Sequence, residues 1–133
     1  MPDPGHPYLA EIEAAFAQWI AANVAGDVDE VCALYHPKAV FWGTVSPFLR
    51  VSPEEVREYF SIFFNPHPMK ILHHHSAVRV YDDIGMNTGS YTFYFPINGL
   101  IRSLDARYSF AYERQSNGRW LIVDHHSSRM PTA

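Results

Sequence analysis

The stretch Ile101–Ser128, IRSLDARYSFAYERQSNGRWLIVDHHSS, decides the fold. Apolar and aromatic residues recur at every second position on both sides of Asn117-Gly118, a pair typical of a tight turn between two strands. The same period continues through the residues before this stretch, interrupted by further turn-forming pairs. The sequence therefore predicts an antiparallel meander of four long strands: Met69–Tyr81, Met86–Phe95, Ile101–Arg114 and Arg119–Ser128.

Before the meander the apolar spacing is helical, which predicts a first helix from Pro7 to Ala25 that ends at Gly26. Asp27 and Glu30 form a capping-box pattern for a second helix, which includes Tyr35 and stops before Pro37. A third helix from Ser52 to Asn65 and a short hairpin complete this half. We expect one domain over residues 1–133 with an α+β fold: a cone-shaped, curved antiparallel sheet covered by three N-terminal helices. The predicted hairpin strands are Ala39–Thr44 and Phe48–Val51.

Composition disfavours several functional classes. The 133 residues carry ten Lys and Arg against fourteen Asp and Glu, and the basic residues form no stripe that could follow a nucleic acid backbone. No apolar run approaches the ~20 residues that span a bilayer, and Met1–Pro7 does not resemble a signal peptide, so we expect a cytoplasmic protein without membrane partners. The single Cys32 and the absence of phosphate-loop, dinucleotide and zinc-type cysteine motifs predict no cofactor.

The run His73-His74-His75 lies inside a predicted strand. Alternation sends His73 and His75 to one face and His74 to the other, so a metal site would need His125 or His126 as a third ligand. The alternative is that these histidines are amphipathic residues of the sheet, at a dimer face or a cavity wall. We favour the second interpretation and expect no metal.

The last two strands carry the main candidate site. If Gln115 pairs with Arg119 across the turn, Arg107 faces Ser127 and Ser109 faces His125 on one side of the sheet. The opposite side then holds an aromatic row that ends at Asp124 and His126. A shift of one residue in the pairing would exchange these assignments. The residues of this row are the aromatic Tyr108, Phe110, Tyr112 and Trp120 and the aliphatic Ile122.

Arginine donates hydrogen bonds in a rigid fork that suits a carboxylate or an enolate oxygen. Arg107 beside His125 therefore predicts a pocket for a small acidic or carbonyl-containing ligand. The alternative is that Arg107 pairs with Asp105 or Asp124 and only stabilises the sheet. The candidate ligand-binding residues are Arg107, His125, Ser127, Tyr91, Trp42 and Ser109.

Proton transfer is a second hypothesis. Asp124 and His126 lie two residues apart on one strand face, where a carboxylate can hold an imidazole for general base work, and His125 is another candidate base. Arg107 or Tyr91 would polarise the substrate oxygen. No sequence motif for a nucleophilic enzyme is present.

The order of elements, the segment Gly118–Pro131 and Tyr35-His36-Pro37 resemble the nuclear transport factor 2-like (NTF2-like) superfamily. Within it, the chain is similar to bacterial SnoaL-like proteins related to the association domain of calcium/calmodulin-dependent protein kinase II. The resemblance implies a homodimer formed through the sheet, higher rings as in the kinase hub, and a third hypothesis of a pure assembly module. The kinase relatives hold arginines around a pocket for carboxylates. The corresponding positions fall near Ser127 and Tyr91 here, which leaves Arg107 as a replacement.

Overall fold

The structure, a computed structural model, describes residues 5–132. Two ends of the chain lie outside this range: Met1–Pro4, part of the segment that was predicted not to be a signal peptide, and Ala133. The interpretation of residues 1–133 as one domain stays a prediction. The elements are α1 (Tyr8–Ala25), α2 (Val28–Cys32), β1 (Tyr35–Trp42), β2 (Leu49–Arg50), α3 (Pro53–Phe63), β3 (Lys70–Tyr81), β4 (Ile84–Ile97), β5 (Leu100–Arg114) and β6 (Trp120–Arg129).

The strands form one sheet in the order β2-β1-β6-β5-β4-β3. Strands β3 to β6 pair antiparallel in sequence, as the meander predicts. Strands β1 and β2 form the predicted hairpin. One pairing differs from the fully antiparallel sheet that was expected, because β1 runs parallel to β6. The α+β fold predicted from the sequence is confirmed.

Helices α2 and α3 begin, and α1 ends, at the predicted cap residues. The Asp27 side chain accepts a hydrogen bond from the Glu30 amide, and the Ser52 side chain accepts one from the Glu55 amide. Gly26 ends α1 in the left-handed conformation, with φ of 67°. Helix α2 is shorter than predicted, because Tyr35 begins β1 and pairs with Ile122 of β6 instead of continuing the helix.

The core lies between the helices and one side of the sheet, which we call the inner face. Aromatic rings fill this space: Trp19 of α1 stacks on Tyr91 with ring centroids 5.6 Å apart, and Phe41 of β1 stacks on Phe60 of α3 at 5.6 Å. The side of the sheet turned away from the helices, the outer face, carries mainly polar side chains of β4, β5 and β6.

No helix within residues 5–132 has the length and apolar character needed to cross a membrane. The cytoplasmic location stays a prediction.

Candidate functional site

A β-bulge in β6 decides which candidate residues meet. The Gln115 amide bonds to the Arg119 carbonyl at 2.7 Å, and Tyr112 pairs with Ile122, as the predicted turn requires. The next pair is Ala111 with Asp124, so Val123 is one extra residue in β6.

Because side chains alternate between the faces of a strand, this extra residue places every later side chain of β6 on the face opposite to the predicted one. The predicted pairings of Arg107 with Ser127 and of Ser109 with His125 are therefore wrong. Arg107 pairs with Ser128, and Ser109 pairs with His126.

His125 lies on the inner face and is 2 % exposed. Its ring is stacked between Phe110 and Phe41, with centroids 3.9 Å and 4.7 Å away. The His125 Nδ1 lies 2.7 Å from the Tyr35 hydroxyl, which also accepts a hydrogen bond from the Trp19 Nε1 at 3.1 Å. Burial lowers the pKa of His125 well below its ordinary value, and the neighbouring charge of His126 lowers it further.

The hydrogen bonds of this cluster involve Trp19, Tyr35 and His125. An indole N–H only donates, so the Tyr35 oxygen accepts from Trp19, and the same hydroxyl shares a second hydrogen bond with the His125 Nδ1. Burial favours the neutral imidazole, and its buried Nε2 has no hydrogen-bond partner within residues 5–132.

Two further candidates share the inner face. The Tyr91 hydroxyl donates to the Ser127 Oγ at 2.7 Å, and the Ser127 Oγ contacts the Thr44 hydroxyl. Burial raises the pKa of Tyr91 well above its ordinary value, so the phenol stays protonated. Sequence reasoning missed Tyr35, Trp19 and Thr44, because a helical spacing explained the first two as core residues and Thr44 was only the end of a strand.

The outer face holds a cavity of about 290 Å³ that we call the Arg107 cavity. Three of the predicted residues line it, namely Arg107, Ser109 and His126. The Arg107 Nε donates to the Ser128 Oγ at 3.4 Å. The complete lining is Thr88, Gly89, Arg107, Tyr108, Ser109, His126 and Ser128.

The guanidinium of Arg107 has no acidic partner within residues 5–132, where the ion pairs are His36–Glu113, Arg50–Glu58 and Arg57–Asp29. The alternative in which Arg107 pairs with Asp105 or Asp124 is therefore not realised. The cationic group is left facing the cavity and solvent.

Asp124 and Trp42 lie beside this cavity on the outer face. Trp42 of β1 is 40 % exposed and pairs with His126. Asp124 is exposed and lies two residues before His126; partial burial raises the pKa of its carboxyl, and His126 opposes the rise. The structure thus keeps Asp124 and His126 on one side, as the proton-transfer hypothesis requires, and separates both from His125.

The histidine run is divided by a second bulge, between His73 and His75 of β3. The His73 ring packs on Phe16 with centroids 4.8 Å apart, whereas the His74 Nε2 bonds to the Thr92 hydroxyl at 2.8 Å. In the part of the chain that the structure describes, no three His, Cys, Asp or Glu residues are placed to hold a metal ion. The metal alternative therefore gains no support from the geometry.

The family model of the SnoaL-like domain matches residues 12–133. The chain belongs to the SnoaL-like family. This confirms the resemblance inferred from the sequence. No curated protein matches the chain.

Solved structures give the same fold. A Xanthomonas campestris protein described as a candidate calcium/calmodulin-dependent protein kinase II association domain is 38 % identical, with a TM-score of 0.89, and the match covers 98 % of this chain and 93 % of that one. An NTF2-like protein with a cystatin-like fold from Novosphingobium aromaticivorans is 12 % identical, with a TM-score of 0.75 and coverages of 93 % and 82 %. A Catenulispora acidiphila protein in complex with S-DNPA is 14 % identical, with a TM-score of 0.78 and coverages of 90 % and 91 %. The last two show the fold alone.

Proposed function

We propose that this SnoaL-like chain is a small-molecule-binding protein that holds a small carboxylate or carbonyl-bearing ligand in the Arg107 cavity. The observation that carries this proposal is a guanidinium without an acidic partner in residues 5–132, placed at a cavity wall among hydroxyl groups. Arginine is always charged and presents two parallel N–H groups that match a carboxylate.

The surroundings of Arg107 suit one small anion. The Ser109 and Ser128 hydroxyls and the His126 imidazole line the same cavity and offer further hydrogen bonds. A volume of about 290 Å³ is at the lower end of the usual ~300–1,000 Å³ range for ligand sites. The ligand we propose is therefore a compact acid with few heavy atoms.

We also propose that the chain forms a homodimer through the outer face, since within residues 5–132 the helices pack on the inner face only. In such a dimer the Arg107 cavity lies on the face that two copies share. Exclusion of water there would lower the local dielectric constant and strengthen the contact between arginine and carboxylate.

Arg107→Ala tests the proposal, with Arg102→Ala as the matched control. Both arginines are exposed on β5, and Arg102 does not line the cavity. We expect calorimetric titration with acetate, succinate and benzoate to detect a bound acid, and Arg107→Ala to weaken its binding by about tenfold or more, because charge-assisted hydrogen bonds contribute about 1.5–3 kcal/mol. Equal affinities in the two variants, or equal binding of benzoate and benzamide by the wild type, would contradict the proposal.

The same samples separate binding from turnover. A keto acid bound beside a catalytic imidazole exchanges its α-hydrogens with D₂O faster than in free solution, whereas a ligand that is only held does not. We expect the protein not to accelerate this hydrogen exchange. If exchange is accelerated, loss of the acceleration in His126→Ala assigns it to the imidazole at the cavity.

A further inference from the structure

The hairpin that joins β4 to β5 ends in exposed aliphatic side chains. Ile97, Leu100 and Ile101 flank the Asn98-Gly99 turn and are 38 %, 58 % and 65 % exposed. A Cβ added at Gly99 would have no neighbouring atom within 4 Å, so the turn projects from the body of the molecule. Exposed apolar groups that lie together, unlike scattered ones, mark a contact surface. We call the three aliphatic residues the apolar tip.

The apolar tip is apolar on both sides of the hairpin. Phe95 packs on Phe63 of α3, with ring centroids 5.5 Å apart, and so lies on the inner face. Strand alternation places Ile97 on the same side, together with its cross-strand partner Leu100. Ile101 therefore lies on the outer side. A second copy docked on the outer face would leave Ile97 and Leu100 in water, whereas immersion in an apolar medium would cover the whole tip.

A layer of cationic and aromatic side chains lies behind the tip. Arg102 follows Ile101 on β5, and Lys70 pairs with Tyr94, the ring of which is 6.0 Å from the Lys70 Nζ. Tyr94 lies three residues before Ile97, so it is roughly 10 Å behind the end of the hairpin. The two layers meet at a hollow of about 340 Å³, which is lined by Met69, Lys70, Tyr94 and Ile101.

The charge around the tip has one sign. Residues 59–81 and 84–104, which include β3, β4 and the start of β5, contain Lys70, Arg79 and Arg102 but no Asp or Glu. All fourteen acidic residues lie elsewhere in a chain with a net charge of −4. Neither Lys70 nor Arg102 has an ion-pair partner within residues 5–132. Uncompensated positive charge beside exposed aliphatic groups complements a surface of anionic headgroups over hydrocarbon.

We infer that the apolar tip binds to the surface of an anionic lipid bilayer. The aliphatic side chains enter the boundary between headgroups and acyl chains, Tyr94 lies at the level of the headgroups, and Lys70 and Arg102 contact the lipid phosphates. A surface contact needs no spanning helix, so this inference revises the expectation of no membrane partner, which rested on the lack of a spanning segment. No residue of the tip lines the Arg107 cavity, so the bilayer contact goes beyond the proposed function.

Co-sedimentation of the full chain with lipid vesicles measures this contact. We expect binding to vesicles of phosphatidylglycerol and phosphatidylcholine in equal parts, and about tenfold weaker binding to phosphatidylcholine alone, which lacks the anionic headgroups. Leu100→Ser/Ile101→Ser should weaken binding to the anionic vesicles by about tenfold, because two aliphatic side chains no longer leave water. The control is Tyr81→Ser, which removes an exposed ring at the far end of β3 and should bind as the wild type does.

The two lysines of the chain provide a matched pair for the charge. Lys70→Gln should weaken binding to the anionic vesicles by about fivefold, the contribution of one cation near a charged membrane, and Lys38→Gln, at an exposed position of β1, should not. Size-exclusion chromatography without lipid shows whether the tip instead contacts a second copy. The inference is overturned if the chain does not bind anionic vesicles, if the tip variant binds them as Tyr81→Ser does, or if the tip variant dissociates an oligomer and still binds vesicles.

Discussion

The buried imidazole of His125 makes the stability of the fold depend on pH. In the folded state burial holds its pKa well below the ordinary value of 6.5, whereas in the unfolded chain the ring titrates near that value. Below pH 6.5 the unfolded state therefore takes up a proton that the folded state does not, and stability falls as pH falls.

We expect this one residue to lower the free energy of unfolding progressively as the pH falls below 6.5. Urea unfolding between pH 7 and pH 5 measures it. His125→Gln, which keeps an acceptor for Tyr35 but does not titrate, should lose this part of the slope. His75→Gln, at an exposed histidine, should keep it. A wild-type slope equal to that of His125→Gln would show that the folded state also takes up the proton.

At the residue scale, sequence reasoning identified the right types of side chain but not their partners. Arg107, Ser109 and His126 do line one cavity, and His125, Ser127 and Tyr91 do share one face. The Tyr35 hydroxyl could not be foreseen as the partner of His125, because the two residues are 90 positions apart and meet only through the parallel pairing of β1 with β6.

At the element scale, the bulge at Val123 separates what could be predicted from what could not. The strands, the turn at Asn117-Gly118 and the pairing next to it follow from period and turn chemistry. A bulge adds one residue without changing the alternation of residue types, so the run Val123-Asp124-His125-His126 fits either face. Packing decides which of these residues faces the core, because the His125 ring fills the space between Phe41 and Phe110.

The bulge in β3 depends on Gly89 of β4. A Cβ at this position would lie 1.8 Å from the His75 carbonyl oxygen and 2.7 Å from the Tyr108 hydroxyl. Since backbone cannot give way by that distance, we expect Gly89→Ala to destabilise the fold by about 3 kcal/mol in urea unfolding.

Gly99→Ala provides the comparison for this prediction. Gly99 has φ of +76° but no neighbouring atom within 4 Å of an added Cβ, so only the backbone conformation is penalised, by about 1 kcal/mol. Equal losses of stability in the two alanine variants would contradict the close approach of β3 and β4 at Gly89.

At the scale of the whole molecule, the sheet separates two chemistries. The inner face buries neutral hydroxyl and imidazole groups among aromatic rings, and the outer face presents Arg107 and His126 at a cavity. The predicted α+β fold is confirmed, but the single polar wall expected from the sequence is divided between these faces. Among the candidate site residues, the cationic Arg107 lies on the outer face, which is why we place an acidic ligand there.

Native mass spectrometry of the protein as purified from cells tests this placement most directly. We expect a small acid to accompany the wild-type chain and Arg102→Ala at equal stoichiometry, and to be absent from Arg107→Ala. An acid retained by Arg107→Ala at the wild-type level would contradict the account, and so would a wild-type chain that carries no acid and acquires none when carboxylates are added.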